Sequence, residues 1–108
     1  MDGIADIVEE IATLNGVTGL VITDESGSPM EFPGIDEDEE KAAITAFVGG
    51  GVNSLADILD LEDCKSISMN YDGGAMIVCP IGDIYLGVTL SEGKRLFKTE
   101  AKIAEILN

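Results

Sequence analysis

Residues 36–63 read DEDEEKAAITAFVGGGVNSLADILDLED, and how this stretch folds decides the rest of the chain. The spacing predicts one long helix from Asp36 to Asp63. Ile44, Phe47, Val48, Val52, Leu55, Ile58 and Leu59 recur at three- and four-residue steps, the pattern of a stripe facing a core. Beside them runs a second line of small residues, Ala42, Ala46, Gly49, Gly50 and Asn53. Each glycine inside a helix costs about 1 kcal/mol relative to alanine, so Gly49-Gly50-Gly51 calls for something that offsets the loss. Close approach of another backbone would do so. The expectation is therefore a helix with its apolar stripe on its own sheet and its small-residue strip against a partner helix. The alternative is a break at the glycines into two short helices.

At the start of this stretch Asp36 stands three residues before Glu39, a capping-box spacing. The acidic run Asp36–Glu40 lies where the helix dipole favours negative charge. A calcium loop needs acids at alternate positions around a glycine, and the run lacks that pattern. Upstream, Ile4, Ile7, Val8, Ile11 and Leu14 mark a first helix over residues 2–15, stopped by Asn15-Gly16. Val17–Thr23 is a first strand, apolar on both faces and so expected at the centre of the sheet. A turn at Asp24–Gly27 leads to a short second strand, Ser28–Phe32, ended by Pro33-Gly34.

Downstream, the third strand, Cys64–Tyr71, alternates. Ile67, Met69 and Tyr71 lie on one face, with Ser66, Ser68 and Asn70 on the other, an edge-strand pattern. An exposed edge invites pairing with another chain, here through Ser66, Ser68, Met69 and Asn70. A turn at Asp72-Gly73-Gly74 leads to a fourth strand, Ala75–Ile81, with a bulge or strand end expected at Pro80. Gly82-Asp83 turns the chain into a fifth strand, Ile84–Leu90. Ser91 caps a final helix whose buried side is Leu96, Phe97, Ala101, Ile103, Ala104 and Leu107. The order is helix, two strands, long helix, three strands, helix: an α/β chain of the α+β kind, read as a single domain over residues 1–108.

Composition sets limits on function. With 108 residues, 45% of them apolar, the chain can bury about two-thirds of its unfolded surface in one core. It has no run of 18 apolar residues, so no membrane insertion is expected. The acidic opening MDGIADIVEE is unlike a signal peptide, and the expected location is cytoplasmic. A net charge of −15 repels nucleic acid and anionic lipid, so neither is an expected partner. Four of the six bases, Lys94, Arg95, Lys98 and Lys102, fall in the last fifteen residues. The turn register keeps Cys79 two or more residues out of step with Cys64, which favours free thiols over a disulfide.

Catalytic chemistry is missing from the pattern. The chain has no histidine, hence neither the commonest general base near neutral pH nor the commonest metal ligand. Ser54 has no base to activate it, the triple glycine lacks the lysine of a phosphate loop, and no carboxylate is singled out by its surroundings. The expectation is a protein that is no enzyme, with no catalytic residue, cofactor or metal.

The segment GVTGLVITDESGSP (residues 16–29), the long Ala/Leu-rich helix and the hairpin around YDGGAMIVCPIGD (71–83) together resemble the roadblock/dynein light chain family over nearly the whole chain. The triple glycine and the scarcity of bases depart from that pattern. The resemblance implies a profilin-like, five-stranded antiparallel sheet, with the long helix on one face and the terminal helices on the other. It also implies a homodimer formed through the third strand and long helix, and a non-catalytic role as adaptor or regulator of a Ras-like small GTPase. The partner surface would then lie on the paired long helices, at Glu39, Lys41, Thr45 and Asn53. Terminal helices sharing a face would bring Asp2, Asp6, Glu9 and Glu10 near Lys94, Lys98 and Lys102. Two other readings remain open, the first because sensory folds share this order of elements. One is a PAS- or GAF-like sensor with Phe47, Met69, Tyr71, Met76 and Tyr85 around a ligand; the other is a structural subunit of a larger complex.

Overall fold

The computed structural model describes residues 2–31, 33–60, 66–91 and 96–107. In chain order the elements are α1 (Asp2–Ala12), β1 (Val17–Thr23), α2 (Glu39–Ile58), β2 (Ile67–Tyr71), β3 (Gly74–Ile81), β4 (Ile84–Leu90) and α3 (Leu96–Leu107). The two glycine-marked turns set the sheet. Asp72-Gly73 joins β2 to β3 and Gly82-Asp83 joins β3 to β4 as two-residue loops, with Gly73 and Gly82 at positive φ, as such tight hairpins require. The strands form one antiparallel sheet in the order β1-β4-β3-β2.

Alternation along the strands then builds two layers. Leu20, Ile22, Ala75, Ile77, Cys79, Leu86, Val88 and Leu90 point to one face and pack with Val8 and Ile11 of α1 and Leu96 and Ile103 of α3. Val21, Met76 and Val78 point to the other and pack with Ala42 and Val48 of α2. The long helix and the terminal helices thus lie on opposite faces, as the family resemblance implies.

Several expectations are corrected. The described sheet has four strands, not five. Where the second strand was expected, a lone bridge joins Thr23 to Pro29. Pro29 has no N–H with which to extend a ladder, although Met30 N–H donates to the Ile22 carbonyl (2.9 Å) and Asp36 N–H to that of Leu20 (2.8 Å). β1 is consequently an edge of the sheet rather than its centre. Both its faces are buried by helices, and the segment reaching Asp36 caps its outer side. That use of Asp36 also moves the start of α2. The N-cap is Asp38, whose carboxylate accepts from Lys41 N–H at 3.1 Å. Asp38→Ala should lower the unfolding free energy by about 1 kcal/mol, measurable by urea denaturation.

The long helix runs unbroken through the glycines and ends at Ile58. Pro80 lies inside β3 without a bulge, opposite Tyr85. In a two-residue hairpin closed by Ile81 and Ile84, residue 80 turns its nitrogen away from β4. On that side the described β2 ladder reaches only the Ile67–Val78 pair, so among the described residues no ladder bond is lost. In α3, Leu96 and Ile103 are buried, whereas Phe97, Ala101 and Ala104, expected inside, are exposed.

Candidate interaction surface

The line of α2 that faces the sheet is the small one: Ala42, Thr45, Gly49 and Val52 are its buried residues. A Cβ added at Gly49 would stand 2.6 Å from Cγ of the Tyr85 ring. One turn earlier the roles reverse, and Gly87 of β4 makes room for Thr45; a Cβ there would also come within 2.8 Å of Met76 Cε. Thr45 satisfies its hydroxyl on the Lys41 carbonyl at 2.7 Å. The cost of glycine in the helix is therefore offset by close packing on the protomer's own sheet, at Gly49 alone. Gly50 and Gly51 have nothing within 4 Å of a Cβ position.

With its small side turned inward, α2 turns its large residues outward. Phe47 is 84% exposed and Ile58 77%, with Ile44, Leu55 and Leu59 also largely exposed. This overturns the expected core-facing stripe, of which Val52 is buried and Val48 half-buried. The two flanks of the helix differ. Val48 packs in one cluster with Met69 of β2, and residues at three- and four-residue steps share its flank. Ile44, Val48, Gly51 and Leu55 therefore line the side above β2. Ala43 and Ala46 border Gly27 on the opposite side.

β2 is the open edge. Among the described residues, no backbone hydrogen bond outside its ladder with β3 involves Ile67–Tyr71, whereas β1 is capped. One face of β2 looks to α2 through Met69. On the other face Ser66 Oγ donates to Glu100 Oε2 of α3 at 3.1 Å, and Ser68 Oγ donates to the same oxygen. Neither β2 nor the stretch of α2 from Ala42 to Ala56 contains a charged residue. In a chain of net charge −15 the open edge and the exposed stripe above it form a neutral, apolar zone.

Sequence reasoning placed the β2 residues Ser66, Ser68, Met69 and Asn70 at this edge, but chose the wrong side of α2. Ala42 and Gly49 are buried against the sheet, and Ala46, Gly50 and Asn53 stand on or towards the flank away from β2. Asn53 Nδ2 reaches Tyr85 Oη at 3.4 Å. Of the expected partner-binding residues, Thr45 is fully buried and cannot meet a partner; Glu39 and Asn53 are exposed and Lys41 half-buried. Ile44, Phe47, Gly51, Leu55 and Ile58 are the surface residues missed, and their signal was the same periodicity read with the opposite face inward. Lys98 and Lys102 lie beside Leu14 and Asn15 at the end of α1, while Glu9 lines an open groove of about 410 Å³ between α1 and the Pro33–Gly34 turn. Asp6 and Glu10 are exposed; the side chain of Asp2 and all of Lys94 lie outside the described residues.

The proposed sensor residues do not converge. Phe47 and Tyr71 are exposed, Met76 is packed in the α2 layer, and the Tyr85 ring abuts Gly49. Cys79 is a free, buried thiol, its pKa pushed up to about 12 by desolvation and by the negative Glu100 nearby. Its register places it alongside Ser66; Cys64 lies outside the described residues. Because the thiolate is the nucleophile, the folded protein should leave Cys79 unalkylated at pH 8, with modification seen by mass spectrometry only after denaturation. Among the described residues no group of three or more acids or cysteines could hold a metal ion, and no helix is long and apolar enough to cross a membrane.

A sheet with one long helix on one face and two terminal helices on the other defines the fold, and solved structures place it. No protein-family model matches the sequence, and no curated protein matches it at a significant level. The Roadblock/LC7 domain from Streptomyces avermitilis superposes with a TM-score of 0.71 at 16% identity, covering 95% of this chain and 87% of that one. Myxococcus xanthus MglB gives 0.70 at 13% identity, covering 94% and 86%. The gliding protein MglB from Thermus thermophilus gives 0.63 at 14% identity, covering 98% and 86%. The chain has the roadblock-type fold.

Proposed function

We propose that this protein is a non-catalytic, homodimeric adaptor that binds a Ras-like small GTPase. The observation that carries the dimer is the coincidence of an open strand edge with an uncharged apolar helix flank on the same side of the molecule. An unpaired edge recruits a strand. On a surface this acidic, two copies repel each other everywhere except where charge is absent. Antiparallel pairing of β2 with its two-fold mate extends the sheet and brings the two Ile44–Leu55 flanks together, with Gly51 allowing close contact between helices. Each large apolar side chain so covered contributes about 1.5–3 kcal/mol, set against the cost of association.

The GTPase reading rests on likeness of fold to proteins such as the gliding protein MglB. It is supported by the outer side of α2, where the Phe47 ring stands largely free of its own chain. Aromatic anchors of this kind dominate protein interfaces. The test is co-precipitation with small GTPases loaded with GDP or a non-hydrolysable GTP analogue. Enrichment in one nucleotide state that is lost in Phe47→Ala supports the reading; equal recovery from both variants in both states overturns it.

A further inference from the structure

We propose that α3 forms a second seam of the dimer, on the face opposite α2, with Phe97 as its anchor and a second copy of this chain as its occupant. The proposal rests on the β2-edge dimer above. Phe97 is 80% exposed, an unusual state for a large aromatic in the first turn of a helix whose inner side is well packed. Its direction follows from Glu100, three residues on and so on a neighbouring part of the same helix surface. Glu100 reaches down to Ser66 and Ser68 of β2, so this side of α3 overhangs the open edge. Ala101 and Ala104 continue the exposed strip without charge or bulk.

Geometry specifies what covers it. Leu96 and Ile103 join the core cluster shared by β1, β3 and β4. Glu100 accepts from Ser66 and Ser68 of β2 and lies close enough to Cys79 of β3 to act on its thiol, which seats this part of α3 near β3. If β2 pairs with its mate, the two β3 strands are three strand spacings apart, about 14 Å. Helices in direct contact pack at roughly 8–10 Å, so the two α3 helices would face each other across a gap. A ring projecting from each side fills such a gap, and a second copy supplies the matching ring by symmetry. The two copies would then close over both faces of the shared sheet.

Sedimentation equilibrium on the wild type, Phe97→Ala, Phe97→Leu and Leu55→Asp tests this. Phe97→Ala should weaken the dimer by at least about ten-fold, with Phe97→Leu recovering most of the loss. The ring is exposed in the single copy, so the urea midpoint of dilute protein should not move. Spin labels at Ala101→Cys, in a Cys64→Ser background with Cys79 shielded by burial, should give a shorter inter-copy distance than labels at Glu9→Cys, because α1 packs over the far strand β1. A dimer that Leu55→Asp breaks and Phe97→Ala leaves intact overturns the α3 seam and keeps the β2 dimer. So does an Ala101 distance no shorter than the Glu9 distance. A wild type that stays monomeric at micromolar concentration overturns both.

Discussion

Leu55→Asp yields a monomer that keeps the wild-type fold. Leu55 is 45% exposed in the single copy, so an aspartate there can reach water and should change monomer stability by less than about 1 kcal/mol. In the proposed dimer the same position is covered by the mate's helix, and two-fold symmetry buries two carboxylates at once. Burying a polar group without a partner costs about 1–3 kcal/mol, and more for a charge. Two such costs weaken association by roughly 10³-fold or more, at 1.4 kcal/mol per decade. Sedimentation equilibrium reads the association and urea denaturation reads the fold. An unchanged proportion of dimer would remove the exposed flank of α2 from the interface.

The second large effect separates the adjacent glycines. Gly49→Val should destabilise the fold by about 3 kcal/mol, because the new side chain collides with the Tyr85 ring in a layer with little freedom to shift. Gly50→Ala should stabilise it by about 0.5–1 kcal/mol, since alanine is the better helix former and nothing lies within 4 Å. The opposite signs, read in a single series of urea melts, isolate close packing from helix propensity. Equal effects at both positions would mean that the glycines serve the helix rather than its contact with β4.

Much of this architecture is legible in the sequence because local rules and packing agree. Asp72-Gly73 and Gly82-Asp83 mark their hairpins unaided, and the alternation from Ser66 to Tyr71 identifies the open edge. Periodicity, by contrast, reports that α2 has an apolar side without reporting which side faces in. The usual inference sends large residues inward, but Gly87 and Tyr85 shape a sheet surface that accepts only Ala42, Thr45 and Gly49. Those two sheet residues stand more than thirty positions away in the chain, and nothing local to the helix reveals them. The expected second strand fails for a similar reason. Its apolar content suggests pairing, whereas Pro29 limits the contact to a lone bridge and, among the described residues, the chain after Met30 next bonds to β1 at Asp36.

That return has a consequence for growth. A sheet with two free margins can add units at both ends and lengthen into a fibre. Here Met30 and Asp36 occupy the β1 margin, leaving β2 as the open border, both copies of which the proposed symmetric pair would consume. In the proposed dimer, assembly by strand addition would therefore terminate at two, and freeing the β1 margin would remove the stop that separates a closed pair from an open polymer.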